Sequence, residues 1–395
     1  MKKLLTTAAI IVGTALLVIC VAVPAYVVPR GKVLPKDIDS HTVTDPVGGI
    51  VLDSAALAAG RPAADRRRSP ECAGDTPRIS CFIATDVPLQ SRTQLTAREP
   101  SSRKQVTVEA TTELTRTDAP ADRASLGGTV DRVTLDRETR FPVNEPVSTL
   151  TATDPTGTRR TETPRFIRSG LDYRFPADTE KKAYPYFDTT VLRNKDIDFV
   201  DEEKRDGETV YRFEQTVDPT EMYPALEAML RSDGSLSDGD REMLDPLRHT
   251  APAAAWGLDR AEVPGWSATD PRGPDVRMSR YYTVNRTVLV QPDTGIIVDD
   301  AEDVWVYYAR DDAEARRFAT PERRGQELRS PRRTVLEFPA RWDRATQDEQ
   351  MALAKDGLRA LAVGEEVIPW AAGILGVLAL VAAWAGHRPR RGARG

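Results

Sequence analysis

The sequence predicts an α+β protein: a β-rich extracytoplasmic domain with helical insertions, flanked by one N-terminal and one C-terminal transmembrane helix. Two uncharged apolar runs sit at the extremities, each about twenty residues long, enough at 1.5 Å per residue to cross a hydrocarbon core of about 30 Å. Between them, several short stretches alternate apolar and polar side chains with period two, the signature of half-buried strands. The 395 residues are 40% hydrophobic and 29% charged, the balance of a folded chain rather than a disordered one.

The first apolar run is Leu4 to Val23, continued by Pro24 and an uncharged Ala25-Tyr26-Val27-Val28, with Lys2 and Lys3 ahead of it. The second is Val367 to Gly386, interrupted only by Pro369, with Trp370 and Trp384 near its ends, where amphipathic rings favour the headgroup region. His387, Arg388, Arg390, Arg391 and Arg394 follow it. The positive-inside rule then places both termini in the cytoplasm and the long middle outside. The expected organisation is a cytoplasmic tip and first span (1–29), an extracytoplasmic β-rich domain (30–344), an amphipathic juxtamembrane helix (345–366), a second span (367–386) and a basic cytoplasmic tail (387–395). A cleaved signal peptide ending at Val23-Pro24-Ala25 is the alternative for the first run, which is longer than the ~7–15 residues of a usual signal core. Small residues four apart, Ala9 with Gly13 and Ala372 with Gly376, are spaced to let two helices approach closely in lipid.

Formal charge is -5, from 55 Lys and Arg against 60 Asp and Glu, and the pI is about 5.6. Lys2, Lys3 and the four terminal arginines contribute six positive charges, so the stretch between them stands at -11. An acidic surface of this kind excludes a general nucleic-acid binder, and the tails are too short to hold a cytoplasmic domain.

Within the exported part, Val43 to Leu52 reads as a first strand and Ala58 to Arg78, rich in Ala, Pro, Gly and Arg, as an exposed loop. Cys72 and Cys81 lie at its end, and in an oxidising exterior two nearby cysteines are expected to form a disulfide. From Lys104 onwards Val106, Val108, Ala110 and Leu114 alternate with polar residues, and Val130 to Leu135 and Ser148 to Ala152 are further strand candidates. Thr209 to Val217 places Tyr211, Phe213, Gln215 and Val217 on one side. Ser279 to Val290 and Gly295 to Ala309 flank Gln291-Pro-Asp-Thr-Gly295, a hairpin signal. Met222, Leu226, Met229 and Leu230, then Leu236, Met243, Leu244 and Leu247, recur at helical spacing and predict a helical insertion between Pro219 and Arg248. Ala345 to Val363 carries Met351, Ala354, Leu358 and Leu361 on one face, fit to pack on the exported domain.

Chemistry is sparse. No phosphate-binding glycine loop, His-Glu-x-x-His or Gly-x-Ser-x-Gly motif occurs, and only His41 and His249 fall in the exported part. Asp233 to Leu244 departs from a calcium loop at its sixth and twelfth positions, Asp238 and Leu244. The acidic runs Asp196, Asp198, Asp201, Glu202, Glu203 and Asp299, Asp300, Glu302, Asp303 read as solvated turns. No catalytic residue, metal or cofactor is expected. Tyr184, Tyr186, Phe187, Tyr281, Trp305 and Tyr307 are candidate ligand-binding residues for an apolar or sugar ligand, the competing role being sheet core.

Several segments together carry a resemblance: the first span running into Pro24-Ala-Tyr-Val-Val-Pro29, Leu34-Pro35, Tyr184-Pro-Tyr-Phe-Asp188, Val210-Tyr-Arg-Phe213, Pro292-Asp-Thr-Gly-Ile296 and the final span. In this order and between two anchors they resemble the DUF3068 family of high-GC Gram-positive bacteria, also labelled PorA-family porins. The resemblance implies a membrane-anchored exported protein and carries over no catalytic residues. A membrane barrel needs at least about eight strands of about nine to eleven residues with a lipid-facing apolar band, whereas these strands are polar and broken by proline. The leading expectation is therefore a non-enzymatic cell-envelope module, held at the bilayer, that binds an envelope lipid, glycan or partner protein and no nucleic acid. A porin or lipid conduit built from associated helices is the alternative, and an exported hydrolase using paired carboxylates a third.

Overall fold

The computed structural model describes residues 2–62, 66–73, 76–154 and 160–387. Helix α1 (Lys2–Ala22) passes through a π turn at Val23–Val27 into α2 (Val28–Gly31). Pro24 lies in that turn, where its missing N–H interrupts the helical ladder. Then come β1 (Asp39–Val43), β2 (Val47–Leu52), α3 (Ser54–Ala58), β3 (Ile83–Ser101), β4 (Gln105–Arg116), β5 (Ser125–Asp136), β6 (Thr149–Thr153) and β7 (Arg160–Glu162). They are followed by β8 (Tyr184–Asp188), β9 (Arg193–Arg205), β10 (Glu208–Glu221), α4 (Met222–Leu230), α5 (Asp238–Leu244) and β11 (Arg248–Pro252). The chain finishes with β12 (Asp275–Gln291), β13 (Ile296–Ala309), α6 (Asp312–Phe318), α7 (Pro321–Arg329), β14 (Thr334–Arg341), α8 (Arg344–Ala362) and α9 (Ile368–His387).

The strands make one sheet, paired in the order β7-β6-β5-β4-β3-β2-β14-β13-β12-β10-β9-β8, with β1 added to β3 and β11 to β12. So wide an antiparallel sheet cannot stay flat, because each strand is rotated against the last with the same hand. The segment between β7 and β8 ties its two ends, bridging Phe166 to Ser148 just before β6 and Leu171 to Tyr186 of β8.

Most predicted elements are present. The alternation in β4 buries Val106, Val108 and Ala110, and β10 buries Phe213, Gln215 and Val217. The hairpin turns between Gln291 and Ile296, with Gly295 in the left-handed region at φ 65°. Two readings need correction. Val43 to Leu52 is two strands, divided at Asp45-Pro46. The two acidic runs are not turns: they lie within β9 and β13. β9 tolerates them because one face is wet, and Arg212 of β10 sits 3.0 Å from Asp201 and 3.3 Å from Glu203 across the ladder. Exposed Asp196, Asp198, Asp201 and Glu202 also keep this strand from facing lipid.

Both α1 with its extension and the α8–α9 helix contain a stretch long and apolar enough to cross a membrane. They pack antiparallel. A Cβ on Gly13 would stand 2.8 Å from Leu380 Cγ and 2.9 Å from the Gly376 carbonyl, so only a bare Cα admits this approach. Gly364 meets Val28 in the same way. Met351 and Ala354 of α8 pack on Val210, Leu289 and Val298, in accord with the amphipathic pattern. At the foot of the sheet, buried Arg140 donates to the carbonyls of Lys32, Phe175 and Thr294, while Lys32 pairs with Asp178 at 2.8 Å and Glu365 at 3.5 Å. Burial pulls the Arg140 guanidinium down to about 10.

Cys72 and Cys81 are joined as a disulfide with Cα atoms 5.6 Å apart, inside the largest apolar cluster beside Ile79, Phe82 and Trp256. On the chain-entropy estimate, Cys72→Ser with Cys81→Ser lowers stability by about 2.7 kcal/mol, read as an earlier urea midpoint; an unmoved midpoint contradicts it. For the helix pair, Thr6→Cys with Gly386→Cys, whose sites meet at 3.6 Å, is expected to cross-link within one chain. Adding Gly376→Leu should abolish that bond, and its persistence would show that the helices tolerate bulk there.

Candidate functional site

The curl turns one face of the sheet inwards, and period-two alternation decides which side chains lie on it. On β12 these include Tyr282 and Arg286, on β13 Asp300, Glu302 and Val304, and on β5 Thr129 and Asp131. The hollow they enclose has a volume of about 670 Å³, inside the roughly 300–1,000 Å³ typical of small-molecule sites. It is graded along the strands. Glu302 pairs with Ala340 and Val304 with Phe338, while Leu336, Leu114 and Leu126 continue the apolar wall. Charged groups thus collect where β13 begins, and hydrocarbon lines the other end.

Two ion networks make up the charged end. In the first, Gln215, Arg286 and Glu302 are cross-strand neighbours on β10, β12 and β13, and Arg286 donates to both partners. Arg286 Nη2 also lies 3.5 Å from Asp188 Oδ2, which accepts the Tyr282 hydroxyl at 2.9 Å. In the second, Arg168 donates to Asp131 and Asp172, and the Tyr173 hydroxyl donates to Asp131. The networks meet at β8: the Arg168 guanidinium lies 4.2 Å from the Phe187 ring centroid, and that of Arg286 5.2 Å from Tyr186.

Burial governs the titration of this end. It pushes the Asp172 carboxyl up to about 7 despite the Arg168 charge beside it, with Asp131 adding like-charge repulsion. Burial and the neighbouring Glu302 charge also raise the Asp300 carboxyl well above the usual aspartate range. Burial also opposes the charge on Arg286, but Glu302 and Asp188 more than offset it and hold the cation firmly protonated. Among the described residues, one buried oxygen of Asp131 and one of Asp300 accept no hydrogen bond. No group of three or more His, Cys, Asp or Glu among those residues is arranged to hold a metal ion.

Of the aromatic residues singled out in the sequence, Tyr186 and Phe187 line the cavity. Tyr184 packs edge-on against Phe175 and Phe213, and its hydroxyl accepts the Glu180 N–H at 2.8 Å. Alternation puts Tyr281, Trp305 and Tyr307 on the opposite face, stacked with Phe318 of α6. The six are therefore divided between two faces and a core. Asp131, Arg168, Asp172 and Arg286 escaped the sequence reading, and Asp300 and Glu302 were read as part of a solvated turn, although one signal was present. Counted without a bulge from Gln291 and Ile296, Arg286 would face Ala301; a bulge beside Leu289 moves it opposite Glu302. Charge complementarity selects that register.

A model of the family described as Porin PorA matches residues 5–385. The chain belongs to the Porin PorA family. It is 45% identical over 394 residues to a Porin PorA of Corynebacterium resistens, covering 96% of this chain and 95% of that one. It is 37% identical over 388 residues to a Porin PorA of Corynebacterium amycolatum, covering 96% and 97%. The match runs through both apolar helices and the sheet, so the cavity and its charged end fall inside the family region.

Because Asp172 holds its proton up to about 7 in the folded chain, whereas an unfolded aspartate releases it near about 4, the folded state binds the extra proton between these values. Stability contributed by this group is therefore lost as pH rises through that window. Asp172→Asn should flatten the fall in the thermal midpoint between about pH 5 and 7, in a side-by-side series with the parent. An identical slope in both would show that Asp172 is ionised in the fold.

Proposed function

We propose that this chain is a non-enzymatic membrane protein of the cell envelope, tethered by α1 and α9 with both termini cytoplasmic, and that several copies together form a conduit, as the name of its relatives implies. One observation supports building the conduit from helices. The apolar surface suited to lipid lies on the α1–α9 pair, and within one chain that pair is closed at Gly13 and Gly376, leaving no lumen between the two helices. The outward charges of β9 argue against strands lining a membrane pore. Lipid-facing positions such as Leu378, 58% exposed, are then the surfaces through which copies associate.

A second reading is favoured by the cavity: a module that binds an envelope lipid, glycan or partner protein close to the bilayer. The two are compatible if the sheet collects what the helices pass. Purified protein reconstituted in planar bilayers is expected to give stepwise conductance, and Leu378→Cys in a Cys20→Ala background to cross-link between copies. Silent bilayers with protein demonstrably inserted would exclude the conduit and leave the binding module.

A further inference from the structure

We infer that the cavity of the curled sheet takes a neutral, polyhydroxylated amphiphile, its hydroxylated head against the Asp131–Asp300 end and its apolar tail along Leu114, Leu336 and Phe338. The inference rests on the binding-module reading above and adds the class of ligand.

The charged end, which also holds Arg174, leaves two buried carboxyl oxygens without a partner. Asp131 is 3% exposed, lines the cavity, and receives Arg168 and Tyr173 on one oxygen while the other accepts nothing. Asp300, from a different strand, lines the same cavity with a second unpartnered oxygen. Buried acceptors of this kind are rare in folded proteins and cost free energy until a donor reaches them. The missing donor is better supplied by hydroxyl groups than by a cation. Asp131 is already balanced by Arg168, and Glu302 by Arg286, so an added positive charge would face two buried guanidinium groups. An anionic head fares worse, because Arg168 and Arg286 are already ion-paired and only Arg174 is left to meet it, among the carboxyl groups of Asp131, Asp300 and Glu302.

Side chains on the rim fit a sugar or polyol. Thr93, Thr112 and Thr129 add hydroxyls that both donate and accept, and Tyr186, Phe187 and Trp342 add aromatic wall. The gradient towards Val304, Phe338 and Leu336 then makes a bare sugar an incomplete occupant, since its removal from water would leave hydrocarbon wall uncovered.

The test uses full-length protein exchanged into an amphipathic polymer and four octyl amphiphiles below micelle formation: octyl glucoside, octyltrimethylammonium, octylphosphocholine and octyl sulfate, with free glucose as the tail-less probe. Binding is followed by tryptophan fluorescence and native mass spectrometry. Octyl glucoside is expected to bind at least about tenfold more tightly than the other three and than glucose. Ala340→Trp, which fills the cavity, should weaken it by a similar factor with an unchanged circular dichroism spectrum. Asp300→Leu should weaken it at least about fivefold while sparing both arginine networks. Equal binding of all four heads, still blocked by Ala340→Trp, would overturn the class of ligand and leave a binding module. Binding indifferent to Ala340→Trp, or no binding of any probe, would overturn both.

Discussion

Arg168 is the interaction on which the remaining architecture depends. Its guanidinium is buried between Asp131 of β5 and Asp172 of the segment leading to β8, and it stacks on Phe187 of β8 itself. A sheet whose twist bends it into a trough has two distant ends, and a few buried contacts must hold them together. Hydrogen bonds to the carboxyl groups of Asp131 and Asp172 and an aromatic face offset the large desolvation cost of burying that charge. With the ends held, the concave face is shielded enough to become a cavity rather than a groove.

The same enclosure sets the chemistry of the site. In an interior shielded from water, carboxyls hold their protons longer and an arginine beside carboxylates keeps its charge, which is the pattern of Asp172, Asp300 and Arg286. The proposed recognition of hydroxyl groups and the raised Asp172 titration share that origin. At the foot of the trough, Arg140 and Lys32 connect the β12–β13 turn, the closing segment and the end of the first helix, so a change in the helix pair is mechanically connected to the sheet.

Legibility followed the range of the interactions. The apolar helices, the helical insertion, the hairpin at Gln291 to Ile296 and the alternation of β4 and β10 depend on neighbours within a few turns or pleats, and each was readable. The small-residue spacings Ala9 with Gly13 and Ala372 with Gly376 were readable as helix-contact signals, whereas the meeting of Gly13 with Gly376 comes from the packed helices. The acidic stretch of β9 was misread, since its strand character comes from cross-strand Arg212 and from a solvated face. β3, nineteen residues long, has no clean alternation because different parts of it pair with β1, β2 and β4.

By itself the sequence determined that an acidic, β-rich body lies between two apolar helices, that two cysteines stand close enough to join, and that familiar catalytic motifs are missing. Those properties reside in composition and local periodicity. Only the tertiary structure decided that Asp131, Asp172, Arg286 and Asp300 line one hollow, with Arg168 bonded to two of them, and that Trp305 and Tyr307 lie behind its wall. A bulge of one residue in the β12–β13 hairpin and the curl of the sheet select those neighbours, and the curl brings together strands far apart in the chain.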